Sequence, residues 1–150
     1  MKRSASFIAV KKSHTVKSFL ISYPNSKIGY ISHAYVGTSH DYSILKTVLP
    51  SGKDWFKDFE VRLDLGYLGF DKDYCCKKAY LPHKKKPKCD LPQVEKDINK
   101  AFAKERVKVE HSIRGVKRFR ILSERLRIHD YNIYNSMLGV CAGLWNFYLS

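Results

Sequence analysis

From about Gln93 the apolar residues fall at helical intervals, through Val94, Ile98, Phe102, Val109, Ile113 and Val116. That spacing puts them on one side of a long helix, which must lie against something apolar. Gly115 sits inside the pattern and costs about 1 kcal/mol relative to alanine in a helix. A kink, or the close approach of another element, is expected there. Within the stretch Lys104–Phe119 (KERVKVEHSIRGVKRF), Val109, Ile113 and Val116 form the buried stripe. Glu110 lies beside it, with Arg106 and Arg114 one turn away on either side. Two readings fit this helix taken by itself. Glu110 is a surface acid in i,i+4 ion pairs, each adding about 0.2–0.5 kcal/mol, or it is a metal-binding carboxylate projecting into a positively charged cleft.

The first half of the chain reads differently. His14–Tyr23 (HTVKSFLISY) is β-branched and aromatic enough for a strand, Pro24-Asn25-Ser26 signals a turn, and Lys27–Val36 (KIGYISHAYV) reads as the returning strand. Thr38 or Ser39 is expected to cap a helix over about Asp41–Leu49. Pro50-Ser51-Gly52 breaks the chain, Trp55–Phe59 suits a short helical turn, and Glu60–Leu65 (EVRLDL) suits a short buried strand ended by Gly66-Tyr67-Leu68-Gly69. Burying an unpaired carboxylate is expensive, so Asp64 must be paired, lie at the open end of the strand, bind a cation, or cap the turn that follows. Residues 71–80 are mixed. Residues 81–92 are an irregular basic loop in which Pro82, Pro87 and Pro92 bracket His83 and the lysines Lys84, Lys85 and Lys86; such a run is a solvated loop or a set of phosphate contacts. Ile121–Ile128 is a further amphipathic piece. Asp130 and Asn132 precede an apolar helix, Ser136–Leu149, whose Trp145, Phe147 and Tyr148 are expected in the core. This order predicts an α/β layer, with an antiparallel hairpin leading into a further strand and helices flanking them.

The charge balance narrows the function. Twenty-eight Lys and Arg against 14 Asp and Glu give a formal net charge of +14 over 150 residues. That excess points to a polyanionic partner, nucleic acid first, with an RNA-binding structural protein or a membrane-adhering surface as the alternatives. No apolar run reaches the ~20 residues of a membrane span. Ser136–Leu149 is too short and carries Asn146, and Lys11 and Lys12 interrupt any signal-like start, so a cytoplasmic protein without a membrane partner is expected. Cys75, Cys76, Cys89 and Cys141 lack paired zinc spacing and are expected as reduced, structural thiols; a zinc site using His83 between Cys76 and Cys89 is the alternative. The acids are also unevenly placed: none precedes Asp41.

Three blocks together resemble the insertion-sequence transposases with a DDE endonuclease core. Lys11-Lys12-Ser13-His14-Thr15-Val16-Lys17, continuing to Gly37-Thr38-Ser39-His40-Asp41, is similar to the family's KKxHT…K strand and GSxHD helix start. Asp64-Leu65-Gly66-Tyr67-Leu68-Gly69 resembles DxGYxG, the block of the second catalytic Asp. Arg106-Val107-Lys108-Val109-Glu110-His111-Ser112-Ile113, followed by Lys117-Arg118-Phe119, resembles RxxVExxIxxxKxF, the block of the catalytic Glu. Leu81-Pro82 with the lysine run, and Cys141-Ala142-Gly143-Leu144-Trp145-Asn146, fit as well. The match covers nearly the whole chain, and the order and spacing of its blocks make it specific.

The resemblance implies an α/β RNase H-like fold and metal-dependent DNA strand cleavage and transfer, with Asp64 and Glu110 as catalytic and metal-binding carboxylates. It implies Mg2+ or Mn2+ in a two-metal site, because ions about 3.5–4 Å apart can activate the attacking oxygen and stabilise the leaving one. Hard oxygen ligands suit such ions. Lys84, Lys85, Lys86, Arg106, Arg114, Lys117 and Arg118 become candidate contacts to DNA, as transposon ends and target. The family's first Asp lies on a strand before the KKxHT block, where this chain has no acid. Asp41 reads as structural capping. Residues 1–150 are therefore expected to be a single partial DDE catalytic domain, N-terminally truncated and inactive alone, complete only with an upstream transposase fragment; that fragment or a homo-oligomer is the expected protein partner. The alternative is a non-catalytic basic DNA-binding remnant of a transposase.

Overall fold

The computed structural model describes residues 4–7, 16–85, 90–123 and 130–150. The expected hairpin forms from β2 (Val16–Ser22) and β3 (Ile28–Val36), which pair antiparallel. A strand not anticipated from the sequence, β1 (Ser4–Phe7), pairs antiparallel with β2 and parallel with β4 (Phe56–Arg62). β5 (Cys76–Tyr80) adds parallel to β4 and completes a five-stranded sheet in the order β3-β2-β1-β4-β5. The helices are α1 (Asp41–Val48), α2 (Phe70–Asp73), α3 (Gln93–Lys117), α4 (Arg120–Ser123) and α5 (Tyr131–Tyr148), with a 3-10 turn over Leu65–Tyr67.

Several expectations are corrected. Residues 56–59 belong to β4 and not to a helical turn: Phe56 pairs with Cys76 of β5, and the strand continues, past an irregularity, into Glu60–Arg62, which β1 and β5 flank on both sides. The strand ends at Arg62, which leaves Asp64 beyond it. Residues 71–80 divide between α2 and β5. The cap of α1 is His40, with no side-chain hydrogen bond, so neither Thr38 nor Ser39 fills that role. The last helix begins at Tyr131, ahead of Ser136, because the Asp130 carboxylate accepts from the amides of Asn132 (2.7 Å) and Ile133 (3.4 Å). Of Ile121–Ile128, α4 reaches Ser123 and the remainder lies outside the described residues. Val94 is exposed, and so are Phe147 (80%) and Tyr148 (68%). Those last two side chains lie on the outward face of α5, so the expectation of core packing holds only for half-buried Trp145.

The sheet is covered on both faces. Phe19 and Leu20 are consecutive on β2 and therefore point to opposite sides. Phe19 enters a core with Ile44, Leu45, Val61, Leu63, Tyr67 and Phe70, under α1 and α2. Leu20 enters a second core with Ile28, Val116, Leu138, Cys141 and Ala142, under α3 and α5. Edge strand β3 exposes backbone groups that α5 occupies with side-chain amides. Asn146 accepts from the Ile28 amide (2.7 Å) and donates to the Ile28 carbonyl (2.8 Å), while Asn135 accepts from the Ala34 amide (2.8 Å).

At the hairpin tip, Ser26 has φ 64° and turns its carbonyl toward both long helices. That oxygen accepts from the Ser112 hydroxyl of α3 (2.9 Å) and the Trp145 indole N–H of α5 (3.0 Å). The indole can reach it because Gly115 lets α3 and α5 close together; a Cβ on Gly115 would lie 2.3 Å from the Trp145 ring. The expectation of a close approach at Gly115 is met. Gly115→Ala should therefore destabilise the protein by about 1–3 kcal/mol, since overpacking outweighs the roughly 1 kcal/mol gained in helix propensity. Urea unfolding followed by tryptophan fluorescence tests this, and an unchanged or raised midpoint would show that Trp145 is not held against Gly115.

Candidate active site

Asp64 follows β4 by two residues and opens the 3-10 turn, where its Oδ1 accepts from the Leu65 amide at 2.7 Å. The capping role considered from the sequence is thus real. The same Oδ1 lies 3.3 Å from Nη1 of Arg106 on α3. One helical turn further on, Glu110 Oε1 lies 3.6 Å from Arg106 Nε. A strand end and a helix therefore bring the two candidate carboxylates to opposite sides of one guanidinium. Both are about two-fifths exposed (39%), so neither lies in the core; Asp64 and Arg106 line a cleft, and Glu110 stands beside it on α3.

The cleft is lined by Arg62, Leu63, Asp64, Tyr80, Phe102, Arg106 and Val109. Phe102 meets Tyr80 edge-to-face, with ring centroids 5.7 Å apart, and the Arg62 guanidinium lies 5.0 Å above the other ring of that pair, Tyr80. Val109 and Val116 are buried as expected, Ile113 is half-buried, and Ser112 and Gly115 join the buried face. Burying that face fixes the rotation of α3, and so aims Arg106 and Glu110 at the end of β4. Neither Arg62 nor Tyr80 was anticipated. Arg62 carried a signal: it stands two residues before Asp64, the spacing that returns a side chain to the same side of an extended chain.

A second acid lies behind the turn. Asp41 Oδ1 pairs with the Lys17 ammonium at 2.8 Å, and that buried ammonium also donates to the Ser39 carbonyl at 2.9 Å. Asp41 Oδ2 lies 3.7 Å from where a Cβ on Gly66 would sit. Burial pushes the Tyr67 phenol up, and the charges of Asp41 and Asp64 push it in the same direction. Asp41 is accordingly not a helix cap. It neutralises Lys17 and ties the start of α1 to β2.

The basic candidates separate by position. Arg114 and Lys117 are exposed on α3, one and two turns beyond Glu110. Arg118 places its guanidinium 4.9 Å over the Tyr148 ring. Lys84 and Lys85 are exposed in the β5–α3 loop, Lys85 pairs with Asp90 at 2.6 Å, and Lys86 lies outside the described residues. That loop leaves β5 beside the cleft and is held to α3 by His83, whose amide donates to Asn99 (2.8 Å) and whose carbonyl accepts from it (3.0 Å).

Among the described residues no three His, Cys, Asp or Glu side chains are grouped to hold a metal ion. The zinc alternative gains no support from His83 and Cys76, and Cys89 lies outside the described residues. Cys75, Cys76 and Cys141 are free thiols. Asp64 and Glu110 nonetheless form a hard-oxygen pair around a cationic group, the donor chemistry a divalent ion takes.

The sequence matches the DDE superfamily endonuclease family over residues 1–146, and the chain belongs to that family. Endonucleases of this superfamily are generally divalent-metal dependent. The chain is 30% identical over 138 residues to a protein of Microchaete diplosiphon described as "Probable transposase for insertion sequence element IS702". The aligned region covers 91% of this chain but 48% of that protein, so the chain spans about half the length of the curated relative it matches. No solved structure matches it. Among the described residues no helix is long and apolar enough to cross a membrane.

Asp41→Asn would leave the Lys17 ammonium buried with the Ser39 carbonyl and no counter-charge. The expected loss is about 2–4 kcal/mol, below the fully buried value because Asp41 is partly solvated. Adding Lys17→Met should recover much of it. Urea midpoints of the single and double variants check this, and a single variant as stable as the wild type would show that the pair contributes nothing.

Proposed function

We propose that residues 1–150 form a partial catalytic domain of a DDE transposase on an RNase H-like fold, with DNA as its substrate. The observation that carries this reading is the convergence of Asp64, from the end of β4, and Glu110, from α3, on one cationic group. The parallel β1-β4-β5 half of the sheet and its antiparallel β3-β2-β1 half support the fold. The net charge of +14 supports the polyanionic substrate.

In this reading Asp64 and Glu110 would hold Mg2+ or Mn2+, whose contribution would be Lewis-acid activation of a phosphodiester. Arg62 and Arg106 stand at the cleft to neutralise phosphate charge. Arg114 and Lys117 on α3, Arg118 at its C-terminal end, and Lys84 and Lys85 in the β5–α3 loop fix the path of the backbone beyond it. Two carboxylates are fewer than the three that the family uses for two metals. β1, the central strand beside β4, consists of Ser4, Ala5, Ser6 and Phe7 and offers no third. The chain alone therefore binds DNA without cutting it, and cleavage requires a carboxylate supplied from outside these 150 residues.

A second reading, a non-catalytic DNA-binding remnant, draws on the same missing third carboxylate. The two diverge on the acids. In the catalytic reading Asp64→Asn or Glu110→Gln abolishes Mn2+ binding, whereas the remnant has no use for either side chain.

The purified chain should bind duplex DNA with little sequence preference. Its affinity should fall about a thousandfold between roughly 50 and 200 mM salt, as for about six phosphate contacts. It should not nick supercoiled plasmid in Mg2+ or Mn2+. Salt-insensitive binding, measured by fluorescence anisotropy, would remove the electrostatic basis of the proposal. Metal-dependent nicking by the wild type that Asp64→Ala abolishes would show that two carboxylates suffice.

A further inference from the structure

The Arg106 guanidinium lies between the carboxylates that would hold the metal, 3.3 Å from Asp64 through Nη1 and 3.6 Å from Glu110 through Nε. Arginine is always protonated, so this is a permanent cation covalently tethered to α3. We propose that Arg106 is a built-in competitor for the divalent ion: it holds Asp64 and Glu110 together in the metal-free protein and must release at least one of them when the ion binds. The inference rests on the reading of those two residues as metal ligands.

The geometry gives the competition its form. At Asp64 the Leu65 amide and Arg106 both reach Oδ1, so neither bond takes the other oxygen. The turn therefore keeps the carboxylate oriented whether or not Arg106 stays. Glu110 is positioned by the helix that carries Arg106, four residues earlier, so losing that ion pair does not free its backbone. Arg106 is about half exposed and can swing toward solvent without opening a cavity. The released guanidinium stays at the cleft, available to a phosphate oxygen brought in with the metal and matched to it by its forked donors. Metal and phosphate thereby favour the same arginine position, and each should promote binding of the other.

The test is Mn2+ affinity of the 150-residue chain, read from the free-ion electron paramagnetic resonance signal and by calorimetry. Arg106→Gln keeps a helix-forming side chain on an exposed face and removes the cation. It should tighten Mn2+ binding by about threefold to tenfold, the effect of one or two half-exposed ion pairs. Arg106→Lys, which keeps a tethered cation, should stay within about twofold of the wild type. In the metal-free state Arg106→Gln should lower the thermal midpoint, and Mn2+ should raise that midpoint more than it does in the wild type. Affinity that is unchanged or weaker in Arg106→Gln, with binding still abolished by Asp64→Asn, would overturn this inference and leave the metal assignment standing. Binding that survives both Asp64→Asn and Glu110→Gln, or that is missing from the wild type and Arg106→Gln alike, would overturn the assignment and the inference together.

Discussion

One carbonyl oxygen links the three parts of the structure that matter for the site. Ser26, at the tip of the β2–β3 hairpin, accepts hydrogen bonds from Ser112 of α3 and Trp145 of α5. Ser112 lies two residues after Glu110, so the junction fixes both the height and the rotation of the helix that presents the acid. The arrangement depends on Gly115, whose missing side chain is where the Trp145 ring sits. A glycine that weakens the helix locally is thus what lets the helix be placed. The helical penalty of about 1 kcal/mol is offset by an indole bonded to Ser26 and packed into the α3–α5 core.

The opposite side of the site depends on the sheet. β4 is flanked by β1 and β5, both parallel to it, so its carboxyl end is a fixed point from which the chain turns at Asp64. Lys17, buried on β2 and paired with Asp41, ties α1 to the sheet, while Asp41 Oδ2 approaches the Gly66 side of the same turn. The side of the turn facing α1 therefore carries a neutralised acid, and the side facing α3 carries an acid shared with Arg106. A net charge of +14 makes this distribution meaningful. In so basic a protein, acids kept close together at a cleft are held there by specific partners, and here each partner can be named.

Much of this was legible in the sequence, for reasons that differ by residue. The hairpin and the long helix were readable because their signals are local, alternation and helical spacing, whereas Asp64 and Glu110 stood out only through the order and spacing of the blocks that carry them. β1 was not readable, since Ser-Ala-Ser-Phe has no strand signal and becomes a strand through its neighbours on either side. Phe56–Phe59 misled as well, because its strand form comes from the Phe56–Cys76 pairing and from continuity with the Glu60–Arg62 ladder. Phe147 and Tyr148 misled in the other direction: an apolar helix suggests burial all round, yet α5 turns Leu138, Cys141 and Ala142 inward and leaves Phe147 in solvent. Asn146, noticed only as a polar break in an apolar run, proves to be the side chain that pairs both backbone groups of Ile28.

The relation between Arg106 and the acids shows why a bland and a sharp reading of Glu110 need not exclude each other. An i,i+4 ion pair was the ordinary account, and that pair is present. The same guanidinium also reaches Asp64, which belongs to a different element and a distant part of the chain. An isolated surface pair has no reason to recruit a second acid from a strand end. Two acids that would otherwise repel need a cation between them, and a side chain that supplies one keeps the pair assembled without metal. The helix ion pair and the contact to the strand end are thus one arrangement, in which a single guanidinium holds both acids.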